Sequence, residues 1–465
     1  MSDPNSEENQ AIKIKAEQGD VESMYKYGKM LRDGDGFEED KQKGASYLKM
    51  AADQGNSDAM LSYAFVLRNG EGIEKNIDES VRYLKMSVDK GNKTAKFNYG
   101  VILRSGEGVP TDKESAIKIF KECSDDGDAD AMLLYALMLH DGEGITQDKA
   151  EAAKYFKMAA DKGNTNAMFI YGVMLHNGDG IEVDNKESVR YLKNSADAGD
   201  LNGMVNYGLL LRGGDGVPEN KKEAAKYFKD AADKGNTDAM YLYGIMKHDG
   251  EGVGRDLKEA AKYLKMAADK GNTEAMFIYG AMLRHGDGVE TDKKEALKYL
   301  KRAADEDDPN AMLIYGVMLS NGEGVAVDKK EAAKYLKMSA DHGNSSAMVS
   351  YGIMVRTGDG ITANKKEAIS YFKKASDEGE SDAMLSLGLM FYEGDGISID
   401  RKRAAHFFKM AANKGNVNGM FMYGMMLRDG DGVQTDLKKA FKYLRIAAEK
   451  GNPNAINELS RFPNK

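Results

Sequence analysis

The sequence predicts an all-α fold, an α/α solenoid of twelve 36-residue helix-turn-helix repeats, and three observations carry that expectation. A Gly-[Asp/Glu]-Gly signal has its first glycine at 34, 70, 106, 142, 178, 214, 250, 286, 322, 358, 394 and 430, every interval being 36 residues. Each unit holds two blocks of helical pattern: a first block that is apolar on several sides, and a second in which apolar residues recur at i, i+3, i+4, i+7 and i+8, the period of an amphipathic helix. The blocks are separated by glycine-rich loops and opened by Asp or Asn, the residues that punctuate helix ends. A strict period in this range marks a solenoid, in which each unit buries its apolar face only by stacking on its neighbours.

Residues 1–10 (MSDPNSEENQ) are polar and acidic and are expected to form a disordered leader. Residues 11–19 (AIKIKAEQG) align with the second half of a unit and predict an N-terminal capping helix. Twelve units fill 20–450, and 451–465 form a C-terminal capping half-repeat and tail in which Pro463 ends the last helix. Asn457 and Glu458 stand there where many other units are apolar, as suits a repeat that faces water.

Within the unit Asn236–Gly271, helix A carries Met240, Tyr243, Gly244 and Met246 on one side and Tyr241 and Ile245 on another, which predicts burial on several sides. Helix B places Ala260, Ala261, Tyr263, Leu264, Ala267 and Ala268 on one face and Lys258, Glu259, Lys262 and Lys265 elsewhere, an amphipathic outer helix. Helix B opens on Asp or Asn in every unit, and in eight units a glutamate follows three residues later, as in Asp148/Glu151, predicting a capping box. Glycines such as Gly55 and Gly271 end helix B at a left-handed position. Asp307 replaces that glycine at one junction and is expected to bend or loosen the joint between the units on either side, because a side chain there resists positive φ.

Length alone would suggest two or three globular domains, but the unbroken period argues for one elongated domain with a continuous core. The formal net charge of -9, with no basic face, argues against nucleic acid as a partner. One cysteine, Cys123, excludes a disulfide framework and sits in an alanine-like slot where burial is expected. No apolar run reaches the roughly 18 residues of a membrane span, and no apolar signal segment opens the chain. These observations together predict a cytoplasmic protein without direct membrane insertion, its two sequons at Asn92 and Asn344 unused.

The phrase [Leu/Tyr]-Gly-x-x-x-x-x-Gly-x-Gly-[Val/Ile], followed by Asp-x-x-[Lys/Glu]-Ala-x-x-Tyr-[Leu/Phe]-Lys-x-Ala-Ala-x-x-Gly-Asn-x-x-Ala, resembles the Sel1-like repeat, a relative of the tetratricopeptide repeat, over about residues 11–462. The resemblance implies a right-handed superhelix with helix A lining its concave, ligand-binding surface. Two departures stand out: leucine mostly replaces the usual aromatic before Gly-x-Gly, and Tyr or Phe replaces the usual helix B tryptophan. The cysteine pairs of the secreted bacterial branch are missing.

A residue required twelve times is first a packing or turn residue, and the search for chemistry starts there. The run Asp33 to Gly36 lacks the oxygen ligand and the glycine that a calcium loop needs at Phe37 and Glu38. His140, His176 and His248 occupy one slot in separate repeats, about 10 Å apart at helix-pair spacing, too far to share zinc. The Gly-x-Gly follows a helix and not a strand, unlike a phosphate loop. No nucleophile and base converge. The sequence therefore predicts no enzyme, no metal and no cofactor.

Two rows remain as candidate partner-binding positions. The slot Arg32, Arg68, Arg104, His140, His176, Arg212, His248, Arg284, Ser320, Arg356, Tyr392, Arg428 is a basic ladder in an acidic protein. It reads either as internal pairing with the acidic residue of its own or an adjacent loop, for instance Arg68 with Glu71, or as a clamp for the carboxylates of an acidic peptide. A second row on one face of helix A turns apolar in the middle repeats, at Leu134, Leu137, Ile170, Val173, Leu242, Ile245, Ile278 and Ile314. It reads as inter-repeat packing or as a groove for an amphipathic or extended peptide. The favoured function is a non-catalytic, monomeric scaffold or adaptor that binds a peptide or protein along helix A. A regulatory subunit of a signalling or quality-control complex is a second reading; a hydrolase or ligand-binding protein of the secreted Sel1-like type is a third.

Overall fold

The computed structural model describes residues 6–460, which form 26 α-helices and no strand. After α1 (Glu7–Glu17), helices alternate as A and B members of each repeat, beginning with α2 (Val21–Asp33) and α3 (Lys41–Asp53). The alternation ends with α24 (Val417–Asp429), α25 (Leu437–Glu449) and the short α26 (Pro453–Ser460). The helices within residues 1–227 form one compact unit and those within 228–465 a second. In both, each A helix packs on the B helix of its own repeat and on that of the preceding one.

The first helix begins earlier than the sequence suggests, which corrects the expected leader over 1–10. Ser6 accepts the Asn9 backbone N–H at 3.2 Å and caps a helix that starts at Glu7, with Glu7 and Glu8 at its positive end. Residues 1–5, and the tail 461–465 with the predicted stop at Pro463, lie outside the described residues.

The opening Asp of helix B caps as expected: Asp148 accepts the Glu151 N–H at 2.9 Å. The capping box is only half made, because the Asp148 N–H already donates to the Leu139 carbonyl at 2.9 Å, leaving Glu151 nothing to bond there. The Glu151 carboxylate turns to Lys154 at 2.7 Å instead. The loop between the helices is therefore fastened to the end of helix A.

Alanines and one aromatic pair fill the seam within a repeat. Ala260, Ala261, Ala267 and Ala268 are buried to 2% exposure or less, which lets helices A and B approach closely. Tyr243 and Tyr263 meet edge to face at 4.8 Å and 84°, and the same pair recurs at Tyr171 and Tyr191 in the first unit. B helices of successive repeats are tied by a hydroxyl: Tyr263 donates to Asp233 at 2.6 Å and Tyr191 to Asp161 at 2.6 Å. The second loop glycine serves contact as well as turning. At Gly288 a Cβ would collide with the Leu257 carbonyl at the start of the previous helix B. Asp307 does adopt positive φ, at 63°, the one non-glycine residue to do so among those described.

Candidate functional site

The basic ladder is held inside the stack. At Arg68, Arg104, His140, Arg284 and Arg356 the side chain leaves the last turn of helix A and reaches forward, past its own loop, to the acidic residue of the next repeat's Gly-[Asp/Glu]-Gly loop. In the first unit Arg68 meets Glu107 through two bonds, at 3.0 and 2.5 Å, Arg104 Nε meets Glu143 at 2.8 Å, and His140 Nε2 meets Asp179 at 2.7 Å. In the second unit Arg284 meets Glu323 at 2.8 and 3.1 Å, and Arg356 Nε meets Asp395 at 2.7 Å. The suggested partner of Arg68 is thereby corrected: Glu71 accepts from Asn69 at 2.8 Å, because the side chain leaves helix A toward the next repeat.

A second cation closes most of these contacts. The first residue of helix B reaches the same loop carboxylate, as Lys113 does to Glu143 at 2.6 Å, Lys149 to Asp179 at 2.7 Å, Lys293 to Glu323 at 3.2 Å and Lys365 to Asp395 at 2.6 Å. The electrostatic imprint follows. Arg284 holds the Glu323 carboxyl down at about 2. The hydrogen bonds that the imidazole donates to Asp179 and then to Asp141 raise His140 above its usual range. Lys113 lowers Glu143 and Arg68 lowers Glu107.

Arg32 turns instead to Asp33 at 2.6 Å and Arg428 to Asp429 at 2.7 Å, and two histidine rungs also lack such a clasp. His176 bonds Asn185 at 3.1 Å, and His248 bonds Asp249 at 2.7 Å. Helix B begins with Asn185 and with Leu257 at these repeats, so neither supplies the lysine found elsewhere. Arg212, the rung between them, keeps an interaction of its own. Lys247, which replaces the usual leucine beside His248, pairs with Glu259 at 2.8 Å and is largely covered.

The second predicted row occupies the intermediate state between core and surface. Leu134, Leu137, Ile170 and Val173 in the first unit are half-buried, as are Leu242, Ile245, Ile278 and Ile314 in the second. Leu134, Leu137 and Ile170 pack against the core with one side. Two more members, missed in the sequence reading, are the most exposed: Leu209 at 39% and Ile353 at 48%. They stand in the slot of Leu137, whole periods away, and that spacing is the signal that could have found them. Near the end of the second unit the row is concave, where a pocket of 150 Å³ opens among Tyr392, Phe421, Met422, Met425, Met426, Asp429 and Asp431. A roomier groove, of 630 Å³, lies on the helix B side among Asp328, Lys330, Glu331, Ala333, Lys334, Lys337, Tyr351 and Ile361. Lys337 there is committed to Asp341 at 2.6 Å and the Tyr351 hydroxyl to Glu367 at 3.0 Å.

Among the described residues no three His, Cys, Asp or Glu side chains are grouped to hold a metal, and no helix is long and apolar enough to cross a membrane. Cys123 is buried at 5% exposure, and burial pushes its thiol up.

A fold of stacked helix pairs, fastened by loop glycines and forward-reaching clasps, defines an α-solenoid of the tetratricopeptide-like class. The chain belongs to the Sel1 repeat family, whose pattern matches twelve consecutive segments, from 21–56 through 417–452. It is similar over 98% of its length to 97% of a protective antigen of uropathogenic Escherichia coli strains displaying an SLR fold, at 23% identity and TM-score 0.79. It also resembles a Sel1 repeat protein from Oxalobacter formigenes, at 26% identity and TM-score 0.53, over 70% of this chain and 92% of that one. No curated protein matches it.

Proposed function

We propose that the protein is a non-catalytic interaction scaffold that binds a peptide or protein segment along the helix A face. The observation that carries this reading is the half-buried apolar row, packed on one side and open on the other. Side chains so placed are held in position by the core and lose little further freedom when a partner covers them. The ladder, for all its charge, has most of its arginines engaged with the next loop, so the proposal seats the partner on the apolar row. An acidic peptide gripped by the ladder would have to displace Glu107, Glu143 and Glu323 from charge-assisted bonds. A cytoplasmic setting and a monomeric chain belong to the same proposal; a single buried thiol suits the first.

Photo-crosslinking from the position of Ile278 in the full chain, followed by mass spectrometry of the adduct, tests the reading. The triple variant Leu242→Ser, Ile278→Ser, Ile314→Ser is expected to lose the partner while keeping its helical signal and cooperative melting. A partner retained at full strength by this folded variant refutes the placement.

A further inference from the structure

The rung at His248 is the least neutralised of those in the second unit, and it lies beside the apolar row. In an intact clasp, such as that of Glu323, the loop carboxylate is gripped by an arginine of helix A and a lysine at the start of helix B. At the equivalent place after α14 (Thr237–Asp249) the carboxylate is Asp287, the helix A residue is His248, and the helix B residue is Leu257. The His248 ring turns to Asp249 instead, and Asp287 is exposed with no ion-pair partner among the described residues. Asp238 and Glu274 are exposed and equally unpaired, at the first turns of α14 and of α16 (Thr273–His285). Along the chain Leu242 and Ile245 follow Asp238 by one and two turns of α14, and Ile278 follows Glu274 by one turn of α16 on the way to Asp287. Of the neighbouring cations, Lys247 is committed to Glu259 and Arg284 to Glu323, Arg255 donates to the His248 carbonyl at 2.9 Å, and His285 is exposed two residues before Asp287.

We propose that this face of the second unit docks a partner segment whose bulky apolar residues cover Leu242 and Ile278 and whose lysine or arginine takes the vacant cationic place at Asp287. The inference rests on the scaffold reading above and adds the sign of the partner's charge. It follows from complementarity: an apolar strip with the unpaired carboxylates Asp238, Glu274 and Asp287 along its helices favours a cationic over an acidic segment. An incoming guanidinium or ammonium completes a contact that the fold already builds elsewhere from its own residues. The partner is thus a cationic amphipathic segment, the reverse of the acidic peptide that the ladder alone suggests.

A random twelve-residue peptide library displayed on phage and selected against the full chain tests this, with fluorescence anisotropy of the enriched peptides in 0.1 M and 1 M salt. Enriched peptides are expected to combine Lys or Arg with Leu, Ile or Phe. Their affinity is expected to fall about tenfold in Asp287→Asn and to weaken strongly in 1 M salt, where the Debye length is only about 3 Å. Leu257→Lys supplies the missing lysine from within the chain and is expected to weaken the same peptides while leaving the melting temperature unchanged or raised. Should that variant unfold, Asp287→Asn decides alone. Peptides that bind the row, as judged by loss in Leu242→Ser/Ile278→Ser, yet ignore both charge variants would overturn this inference and leave the scaffold reading standing. Enrichment of acidic peptides would do the same. If no peptide binds and crosslinking from Ile278 captures nothing, both fall together.

Discussion

Arg284 and Glu323, thirty-nine residues apart, face each other as fork to fork, with Nη2 to Oε1 at 2.8 Å and Nε to Oε2 at 3.1 Å. Both side chains are more than four-fifths covered, so the pair is shielded from solvent in a way that surface pairs are not. It joins the end of one helix A to the loop of the next repeat.

This pair sets an acid limit on the second unit. The Glu323 carboxyl is held at about 2 against an ordinary 4.5, first by Arg284 and then by Lys293. A group lowered on folding stabilises fully above its ordinary value and loses that contribution as pH falls through its folded value. Thermal melts between pH 7 and pH 2 are therefore expected to show stability falling from about pH 4.5 downward. Glu323→Gln should be less stable at pH 7 by about 1.5–3 kcal/mol, the range for hydrogen bonds to charged groups, with a flatter profile below 4.5. An unchanged acid profile in the variant would remove the pair from the account.

His140 carries the opposite sign in the first unit. Its two nitrogens reach Asp179 at 2.7 Å and Asp141 at 2.8 Å, and these bonds raise its imidazole above the ordinary 6.5. A raised group stabilises fully below its ordinary value, and the contribution disappears as pH climbs through the folded value. A ring-proton NMR titration of His140 is expected to show a midpoint above 6.5. His140→Gln should cost about 0.5–1 kcal/mol at pH 6 and nearly nothing at pH 9. A midpoint at or below 6.5 contradicts the bridging geometry.

The repeat itself was legible because it is periodic: the glycine register, the caps and the alanine faces are local signals restated in every unit, and the helices fall where they predict. The partners of the ladder were not legible. A sequence shows that Arg68 stands near Glu71 along the chain, but whether it turns back or forward depends on how one repeat stacks on the next, and it turns forward to Glu107. Lys247 beside His248 could not be placed for the same reason; its partner Glu259 lies on the facing helix B. The tyrosines were readable as packing residues, while the bond from a helix B hydroxyl such as that of Tyr299 to an aspartate thirty residues earlier requires neighbouring B helices in three dimensions. The start of the first helix was missed because Ser6 sits in a polar stretch whose composition outweighed one capping residue.

The hydroxyl ladder is tested at Tyr299. Its hydroxyl donates to Asp269 at 2.6 Å, and Lys265 reaches the same carboxylate at 2.7 Å. Burial, followed by the bond to Asp269, pushes the phenol up to about 12. Tyr299→Phe keeps the ring against Tyr279, 5.0 Å away, and deletes only the bond. The expected cost is about 1 kcal/mol, the net worth of one hydrogen bond, and one phenolate absorbance step near pH 12 should vanish. A loss above about 3 kcal/mol would mean that the ring packing had changed as well, since cavity-scale effects begin there.

Asp307 offers the sharpest test of the backbone, because the ten glycines at the other internal junctions supply the control within one chain. At φ 63° it takes the conformation that glycine holds elsewhere, as at Gly271 with φ 100°. Its N–H reaches the Ala304 carbonyl at 3.3 Å, against 2.9 Å for Gly55 to Ala52. A side chain in the left-handed region costs about 1–2 kcal/mol, less for Asp, whose short polar group bonds locally. Glycine removes that strain but gives the unfolded chain more freedom, worth about 0.4–1 kcal/mol in the other direction. The two terms nearly offset for glycine; for alanine the unfolded-chain term is unchanged and only the strain remains, without the local bonding that eases it for Asp. Chemical denaturation is therefore expected to rank Asp307→Gly equal to or up to about 0.5 kcal/mol above the parent, and Asp307→Ala about 1 kcal/mol below it. If alanine proves as stable as aspartate, the joint relaxes out of positive φ when the side chain changes, and the strain assigned to this residue is not there.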